Sequence, residues 1–352
     1  MSNSEYLTEA EISQQAAFVK AHKTNTEYNK VIFIESEKKN IEVDPHLYSD
    51  PFASFGKETI EIYKHTLISD TTNIASAVSF INPAFDTYFK LIPGQLMALC
   101  AYTGSGKSTS CVHVAAEYIR NGKRPYIISN EETAKNFYEM IACSLLSLHY
   151  YKYVNNQLTE DETTAVQNRV QQFIDKKEVF VLDEQLSKGG TAKAEAILSM
   201  LEVWNSASIK PDIVMIDYLT HISVAGSNSM ENHYFQLSFF LGQLKATVNK
   251  VSFPIILAAQ LYSNDKRKGS SLDAKLVMGS DILRIATIAV ELSKDPETHK
   301  STFKVHKNRK FNKYGEVHLC IDKATAQFRE WNTSDAFKIP TSLASMLSKE
   351  DQ

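Results

Sequence analysis

The chain is 352 residues long, which suits one large domain with an appendage or two small domains. Hydrophobic residues make up 43% of it and charged residues 22%, as in proteins that bury a full core, and the formal net charge of −3 favours no class of partner. The four cysteines form no Cys-x-x-Cys pair, which argues against zinc and for reduced thiols. No signal-peptide pattern is present, and no apolar run approaches the ~20 residues that span a bilayer, so we expect a cytoplasmic protein without a membrane partner.

The first 80 residues differ from the rest of the chain and predict a small helical appendage. Residues 4–20 and 56–68 carry helical patterns, and Pro45 and Pro51 lie in a loop-like stretch between them. This part is too short and too polar for a second catalytic domain. The expected domains are an N-terminal appendage over 1–80, a catalytic domain over 81–334 and a peripheral C-terminal tail over 335–352.

Beyond residue 94, apolar runs alternate with helical stretches, and each run predicts a strand. The eight runs cover residues 96–100, 125–129, 179–182, 213–216, 255–259, 288–292, 303–306 and 316–321. The first five are far enough apart for crossover helices, so they predict an α/β fold with a mostly parallel central sheet flanked by helices. The last three are closer together and include the turn signal Lys313-Tyr314-Gly315, which predicts an antiparallel edge hairpin.

The segment after the first predicted strand has the pattern of a phosphate-binding loop. Residues 101–109 read Ala-Tyr-Thr-Gly-Ser-Gly-Lys-Ser-Thr, with Ala101 where the strict pattern has glycine, and a helical stretch follows. Lys107 would add a positive charge near the phosphates, and the Ser108 hydroxyl would ligate Mg²⁺. We therefore predict ATP binding by Thr103, Gly104, Ser105, Gly106, Lys107, Ser108 and Thr109.

Polar residues at three further strand ends are candidates for the chemistry. Asp217 follows an apolar strand and could hold the Mg²⁺ with Ser108, although an aspartate there could instead cap the next helix. Glu131 is the favoured residue to orient and deprotonate the attacking water, and its neighbour Glu132 is the alternative. Either glutamate could instead be a first-turn acid stabilised by a helix dipole. Gln260 ends the strand at 255–259 and could sense the γ-phosphate.

Lys307 and Arg309 form a basic pair at the predicted sheet edge. They are two residues apart, so on a strand both side chains face the same side. If they lie at the far edge of the sheet, they cannot easily reach the loop at 101–109 of their own chain. A neighbouring subunit could then offer them to its γ-phosphate as finger residues. The alternative is a solvated basic edge strand, and the spacing alone does not decide between the two.

Taken in order, these motifs resemble those of the hexameric replicative helicases of the bacterial DnaB and phage type, whose motor is RecA-like. The resemblance covers about residues 82–332. The matching segments are Ile92-Pro93-Gly94-Gln95-Leu96 with residues 101–108, Asn130-Glu131-Glu132, Ile216-Asp217-Tyr218-Leu219, Ala259-Gln260-Leu261, Gly279-Ser280-Asp281-Ile282-Leu283-Arg284 and Lys307-Asn308-Arg309-Lys310.

The resemblance implies a homo-oligomeric, hexameric ring that hydrolyses ATP with Mg²⁺ between subunits, with the basic pair acting in trans. Single-stranded DNA would thread the channel while the ring moves 5′ to 3′, and a primase or helicase loader would be a further partner. DNA-contacting loops would lie at about 225–231 and 262–277. The second contains Lys266, Arg267 and Lys268, which suit phosphate tracking, although an ordinary solvated loop is the alternative.

Two other functions share most of these features. A RecA-type recombinase has the same core and a basic pair near the subunit boundary, but it forms filaments. A regulatory RecA-like ATPase would need neither the finger pair nor a basic channel loop. The first 80 residues do not resemble a primase domain, and residues 56–68 could instead form a linker helix that docks on the adjacent subunit. Asp217-Tyr218-Leu219 and the double glutamate favour the helicase.

Overall fold

The structure is a computed structural model. It describes residues 74–75, 77–187, 193–217, 230–261, 272–276, 279–295, 298, 300–322 and 325–332. The predicted helices at 4–20 and 56–68 and the tail from 335 lie outside the described residues, so the expected domain boundaries stay predictions. No helix within the described ranges is both long and apolar enough to cross a membrane.

The described strands form one sheet of nine strands. In chain order they are β1 Leu96–Tyr102, β2 Pro125–Ser129, β3 Phe180–Leu182, β4 Ile213–Asp217, β5 Ile255–Leu261, β6 Ile288–Lys294, β7 Lys300–Asn308, β8 Gly315–Asp322 and β9 Gln327–Glu330. The order across the sheet is β3-β2-β4-β5-β1-β6-β7-β8-β9. Strands β1 to β6 pair in parallel, and β7, β8 and β9 add an antiparallel edge.

The predicted mostly parallel sheet with an antiparallel edge is therefore confirmed. All eight predicted strands are present, and the structure extends most of them by one or two residues. The ninth strand, β9, was not predicted. It has only four residues, Gln-Phe-Arg-Glu, and Phe328 is its single buried apolar side chain, so no apolar run marks it in the sequence.

Helices cover both faces of this sheet. They are α1 Lys107–Arg120, α2 Ala134–Leu146, α3 Tyr150–Val154, α4 Glu160–Asp175, α5 Ala194–Ser206, α6 Met230–Val248, α7 Leu272–Lys275 and α8 Gly279–Ile285, and a 3₁₀ turn spans Pro83–Thr87. Alternate residues of β1 serve the two cores, since Met97 and Leu99 join α1, α2 and α4 while Leu96 and Ala98 join α5, α6, α7 and α8. A buried strand apolar on both faces is what a doubly covered parallel sheet requires.

Candidate active site

The loop between β1 and α1 has the backbone of a phosphate-binding loop. Gly104 and Gly106 have φ angles of 74° and 109°, in the left-handed region that residues with a Cβ avoid. A Cβ on Gly106 would also lie 3.1 Å from Cδ1 of Ile321, so β8 approaches too closely for a larger residue. Ser105 is buried, and its N–H donates to the Tyr102 carbonyl at 3.1 Å, closing the turn.

Lys107 opens α1 and lies back over this loop. Only 8% of its surface is exposed, and its Nζ donates to the carbonyls of Ala101 at 3.3 Å and Tyr102 at 3.5 Å. Burial lowers the pKa of Lys107, while the carboxylates of Asp217 and Glu131 act in the opposite direction. Both carbonyl contacts are long, so they hold the ammonium weakly at the place where the loop would receive an anion.

Asp217 ends β4 beside the loop and is completely buried. Its Oδ2 accepts a hydrogen bond from the Ser108 hydroxyl at 2.8 Å, whereas its Oδ1 accepts none from the described residues. Burial raises the pKa of Asp217 to about 6; the bond from Ser108 opposes this rise and the charge of Glu131 adds to it. A buried carboxylate oxygen without a donor, next to a hydroxyl, is a suitable donor set for a hard divalent cation.

A cleft of about 190 Å³ brings the predicted residues together. Gln260, the last but one residue of β5, closes one side, and its Nε2 donates to Oγ1 of Thr103 at 2.7 Å. This bond joins the strand end to the loop. The lining consists of Thr103, Gly104, Gly106, Lys107, Ser108, Thr109, Glu131 and Gln260.

The two neighbouring glutamates have different surroundings. Glu131 is exposed and lines the cleft, whereas Glu132 accepts a hydrogen bond from Nδ2 of Asn136 at 2.9 Å. The backbone N–H of Glu132 also donates to the hydroxyl of Ser129 at 3.0 Å. Both precede Thr133, the N-cap of α2, so neither is a first-turn helix residue. The geometry therefore leaves Glu131 as the carboxylate that opens toward the loop.

Lys307 and Arg309 lie at the opposite edge of the sheet. Lys307 pairs with Ala289 on β6, and Ala289 pairs with Ala98, near the start of β1. Because β7 runs antiparallel, it ends on the order of 13 Å of strand before the carboxyl end of β1. The sheet thus separates these two residues from the cleft of their own chain.

Both cations reach the carboxyl end of α8. Lys307 donates to the carbonyl of Leu283, and Nη2 of Arg309 donates to that of Arg284 at 3.0 Å. Burial, together with the charges of Arg309 and Lys245, lowers the pKa of Lys307 to about 8. Positive groups at a helix carboxyl end are also favoured by the helix dipole. The pair therefore has a defined position on α8, which the alternative of a solvated edge strand does not require.

A family model for the DnaB-like helicase C terminal domain matches residues 84–330. The chain belongs to this helicase family. Two solved structures are similar: a phosphate-binding-loop ATPase domain (16% identity, TM-score 0.63, covering 79% of this chain and 99% of that one) and a DnaB-like replicative helicase described with its interactions with primase (17%, 0.62, 82% and 73%). At such identity they establish the RecA-like fold. No curated protein sequence matches the chain.

Membership of this family makes the protein an ATP-hydrolysing helicase of the replicative type, which acts on DNA. The family segment at 279–284 forms most of α8, the helix on which the basic pair lies. The predicted DNA contacts Lys266, Arg267 and Lys268 lie outside the described residues, as do Tyr218, Leu219 and most of the loop at 225–231.

Two features of the helicase site were not predicted. Asn136 binds Glu132, and the carbonyls of Leu283 and Arg284 receive the basic pair. Backbone carbonyls occur at every residue, so no sequence signal could have indicated the second. An asparagine four residues after Glu132 on a helix start was a usable signal, since side chains at that spacing meet on one helix face.

Proposed function

We propose that this helicase hydrolyses ATP at the interfaces of a hexameric ring, with each site completed by Lys307 and Arg309 of the neighbouring subunit. The supporting observation is the separation of the basic pair from the phosphate-binding loop of the same chain by the length of β1. Cations that act on a γ-phosphate must touch it. A pair at the opposite sheet edge therefore has a role in hydrolysis only if a second chain supplies the loop.

In this proposal the loop edge binds the nucleotide and positions the water. The loop N–H groups and Lys107 hold the phosphates, and Gln260 exchanges its bond to Thr103 for one to the γ-phosphate. Ser108 and Asp217 hold Mg²⁺, which would neutralise charge between the β- and γ-phosphates. The described residues contain no group of three or more His, Cys, Asp or Glu side chains that could hold a metal, so nucleotide and water would complete its shell. Glu131 accepts the proton of the attacking water.

The same proposal assigns DNA binding to residues 262–277. Lys266, Arg267 and Lys268 would track the phosphates of single-stranded DNA in the channel as the ring moves 5′ to 3′. Contacts to phosphates alone make affinity steeply salt-dependent and insensitive to sequence. One matched replicative helicase structure describes interactions with primase, and we infer a primase or a loader as a partner here also. Residues 56–68 would dock on the adjacent subunit.

Complementation between two inactive variants tests the shared site. Lys107→Ala removes the loop cation, and Arg309→Ala removes the finger, so each variant alone should lose ATP hydrolysis by about 10³-fold. When equal amounts are mixed, about a quarter of the interfaces join an intact loop to an intact finger, and hydrolysis should reappear. Native mass spectrometry verifies that mixed assemblies form. Mixed assemblies without any recovered hydrolysis would contradict sites shared between subunits.

Electron microscopy of the full chain with an ATP analogue and single-stranded DNA tests the assembly. Closed rings are expected. Helical filaments would favour the recombinase, and an absence of DNA-dependent assembly would favour the regulatory ATPase. The same images of a chain lacking residues 1–72 test the docking segment, because stable hexamers of that chain would contradict its proposed role.

A further inference from the structure

A buried carboxylate in the centre of the sheet binds two cations that the site described above does not use. Glu291 lies on β6 and is 8% exposed. Its Oε2 is 2.7 Å from Nε2 of His306, and its Oε1 accepts from Nζ of Lys275 at 3.0 Å. The hydrogen bond with His306, and then that from Lys275, lower the pKa of Glu291 against the effect of burial. The carboxylate is therefore held ionised between two partners from different elements.

The first partner belongs to the strand that carries the finger pair. On β7, Lys307 pairs with Ala289 and Val305 with Val290, so His306 is an extra residue that forms a β-bulge. In a regular strand His306 and Lys307 would point to opposite faces. Because of the bulge, His306 reaches Glu291 while Lys307 reaches the carbonyl of Leu283 on α8. Glu291 thus fixes the backbone immediately before the fingers.

The second partner lies at the end of α7, which directly follows the segment proposed to bind DNA. Lys275 is the last residue of α7. Leu261, at the end of β5, forms an antiparallel bridge with Leu276, so the chain leaves the sheet and returns to it at neighbouring points. The Lys275–Glu291 ion pair adds a charged anchor beside this bridge. Movement of α7 is therefore transmitted to the residues that precede it.

The finger pair and Glu291 hold the same two helices against one face of the sheet. Leu272 of α7 and Ile282 of α8 are buried in the same core, and the finger pair binds the carbonyls that end α8. If the fingers leave α8 for the phosphate of a neighbour, α8 loses both contacts. Glu291 is then the charged link that remains between β7 and α7.

We propose that Glu291 is a positioning residue that couples the Lys307–Arg309 pair to α7 and hence to the DNA-contacting segment of the same chain. The inference rests on the proposed function, since it requires fingers that act on a neighbour's nucleotide. Nucleotide binding at one interface would then change the DNA affinity of the subunit that supplies the fingers. Couplings of this kind commonly change an affinity by about 5- to 150-fold.

The test compares full-length Glu291→Gln with Glu316→Gln as a matched control. Glu316 also binds a lysine, Lys304 at 3.1 Å, but this pair is exposed and joins β7 to β8 away from α7. The measurement is the ratio of single-stranded DNA dissociation constants without and with a non-hydrolysable ATP analogue. Glu291→Gln should lower this ratio at least about 5-fold while DNA-free hydrolysis and nucleotide-free DNA affinity stay within about 2-fold. Glu316→Gln should leave all three values unchanged.

Each other result has a defined meaning. A wild-type ratio with no response to the nucleotide would overturn the proposed function, and this inference with it. A normal wild-type ratio that Glu291→Gln leaves intact would overturn the inference alone, as would a parallel loss of DNA-free hydrolysis. If Glu291→Gln does not fold, His306→Gln, whose side chain is one quarter exposed, decides by the same readings. A folded double variant should be no worse than Glu291→Gln, because both substitutions break one connection.

Discussion

The two ends of the parallel strands present opposite chemistry. At the carboxyl edge, the loop after β1 meets Glu131, Asp217 and Gln260, and the polar groups bind one another, as in the pairs Ser108–Asp217 and Gln260–Thr103. At the amino edge, two cations bind the carbonyls of α8. Carboxylates and a phosphate-binding loop thus occupy one edge, and excess positive charge occupies the other.

This difference shows how one chain can carry both halves of a shared site without joining them. The sheet keeps the cations about the length of a strand away from the carboxylates, so they cannot neutralise Asp217 or Glu131 within the chain. Each edge instead satisfies its polar groups locally, with contacts that a phosphate could replace. In our proposal, assembly brings a carboxyl edge against an amino edge.

Lys107→Ala gives the largest expected effect and would separate the two edges by function. If the carboxyl edge alone binds nucleotide, Lys107→Ala should weaken binding of an ATP analogue and lower hydrolysis by about 10³-fold. Arg309→Ala should lower hydrolysis to a similar degree and leave analogue binding nearly intact. Titration with a fluorescent ATP analogue makes the comparison. Equal loss of binding in both variants would mean that the amino edge also holds the ground-state nucleotide.

Replacing each glutamate separately would sharpen the description of the carboxyl edge. Glu131→Gln should lower the rate of hydrolysis by about 10²- to 10⁴-fold, the usual effect of losing a general base. Glu132→Gln should change the rate only a few-fold, because an amide can still accept the bond from Asn136. Single-turnover hydrolysis is the measurement, since it isolates the chemical step. The reverse order of effects would move the base to Glu132.

Asn308, between the two fingers, tests whether the amino edge is rigid. It is 1% exposed; its Nδ2 donates to the carbonyls of Tyr88 and Lys313, each at 2.9 Å, and its Oδ1 accepts from Phe311 N–H. Asn308→Ala leaves three backbone groups without this partner and should lower the free energy of unfolding by ~2–3 kcal/mol. Tyr314→Phe in the same turn is the control, expected within ~0.5 kcal/mol. Denaturant titration measures both; equal changes would mean that the turn is already solvated.

Sequence reasoning reached the carboxyl edge more fully than the amino edge. There, function follows strand ends, and an apolar run followed by Glu131, Asp217 or Gln260 is visible in the sequence. At the amino edge, the contacts depend on a one-residue bulge at His306 and on backbone carbonyls of α8, and neither has a sequence signal. Glu291 was missed for a related reason: it lies within an apolar strand pattern and finds its partners only after folding. The short strand β9 lacked an apolar run altogether.

The protonation of Lys307 gives the finest test of how the amino edge is arranged. Burial and the positive charges of Arg309 and Lys245 favour the neutral amine, so its pKa falls to about 8, against an ordinary value near 10.4. Below pH 8 the ammonium should resist acylation, and above it the amine should react, which competitive labelling with mass spectrometry can follow. Arg309→Ala removes one repelling charge and should move the midpoint upward. A wild-type midpoint near 10 would mean that Lys307 is solvated and not docked on α8. An ATP analogue should also raise the midpoint in assembled protein, since a phosphate from the neighbour favours the charged form, whereas carbonyls of α8 alone would leave it unchanged.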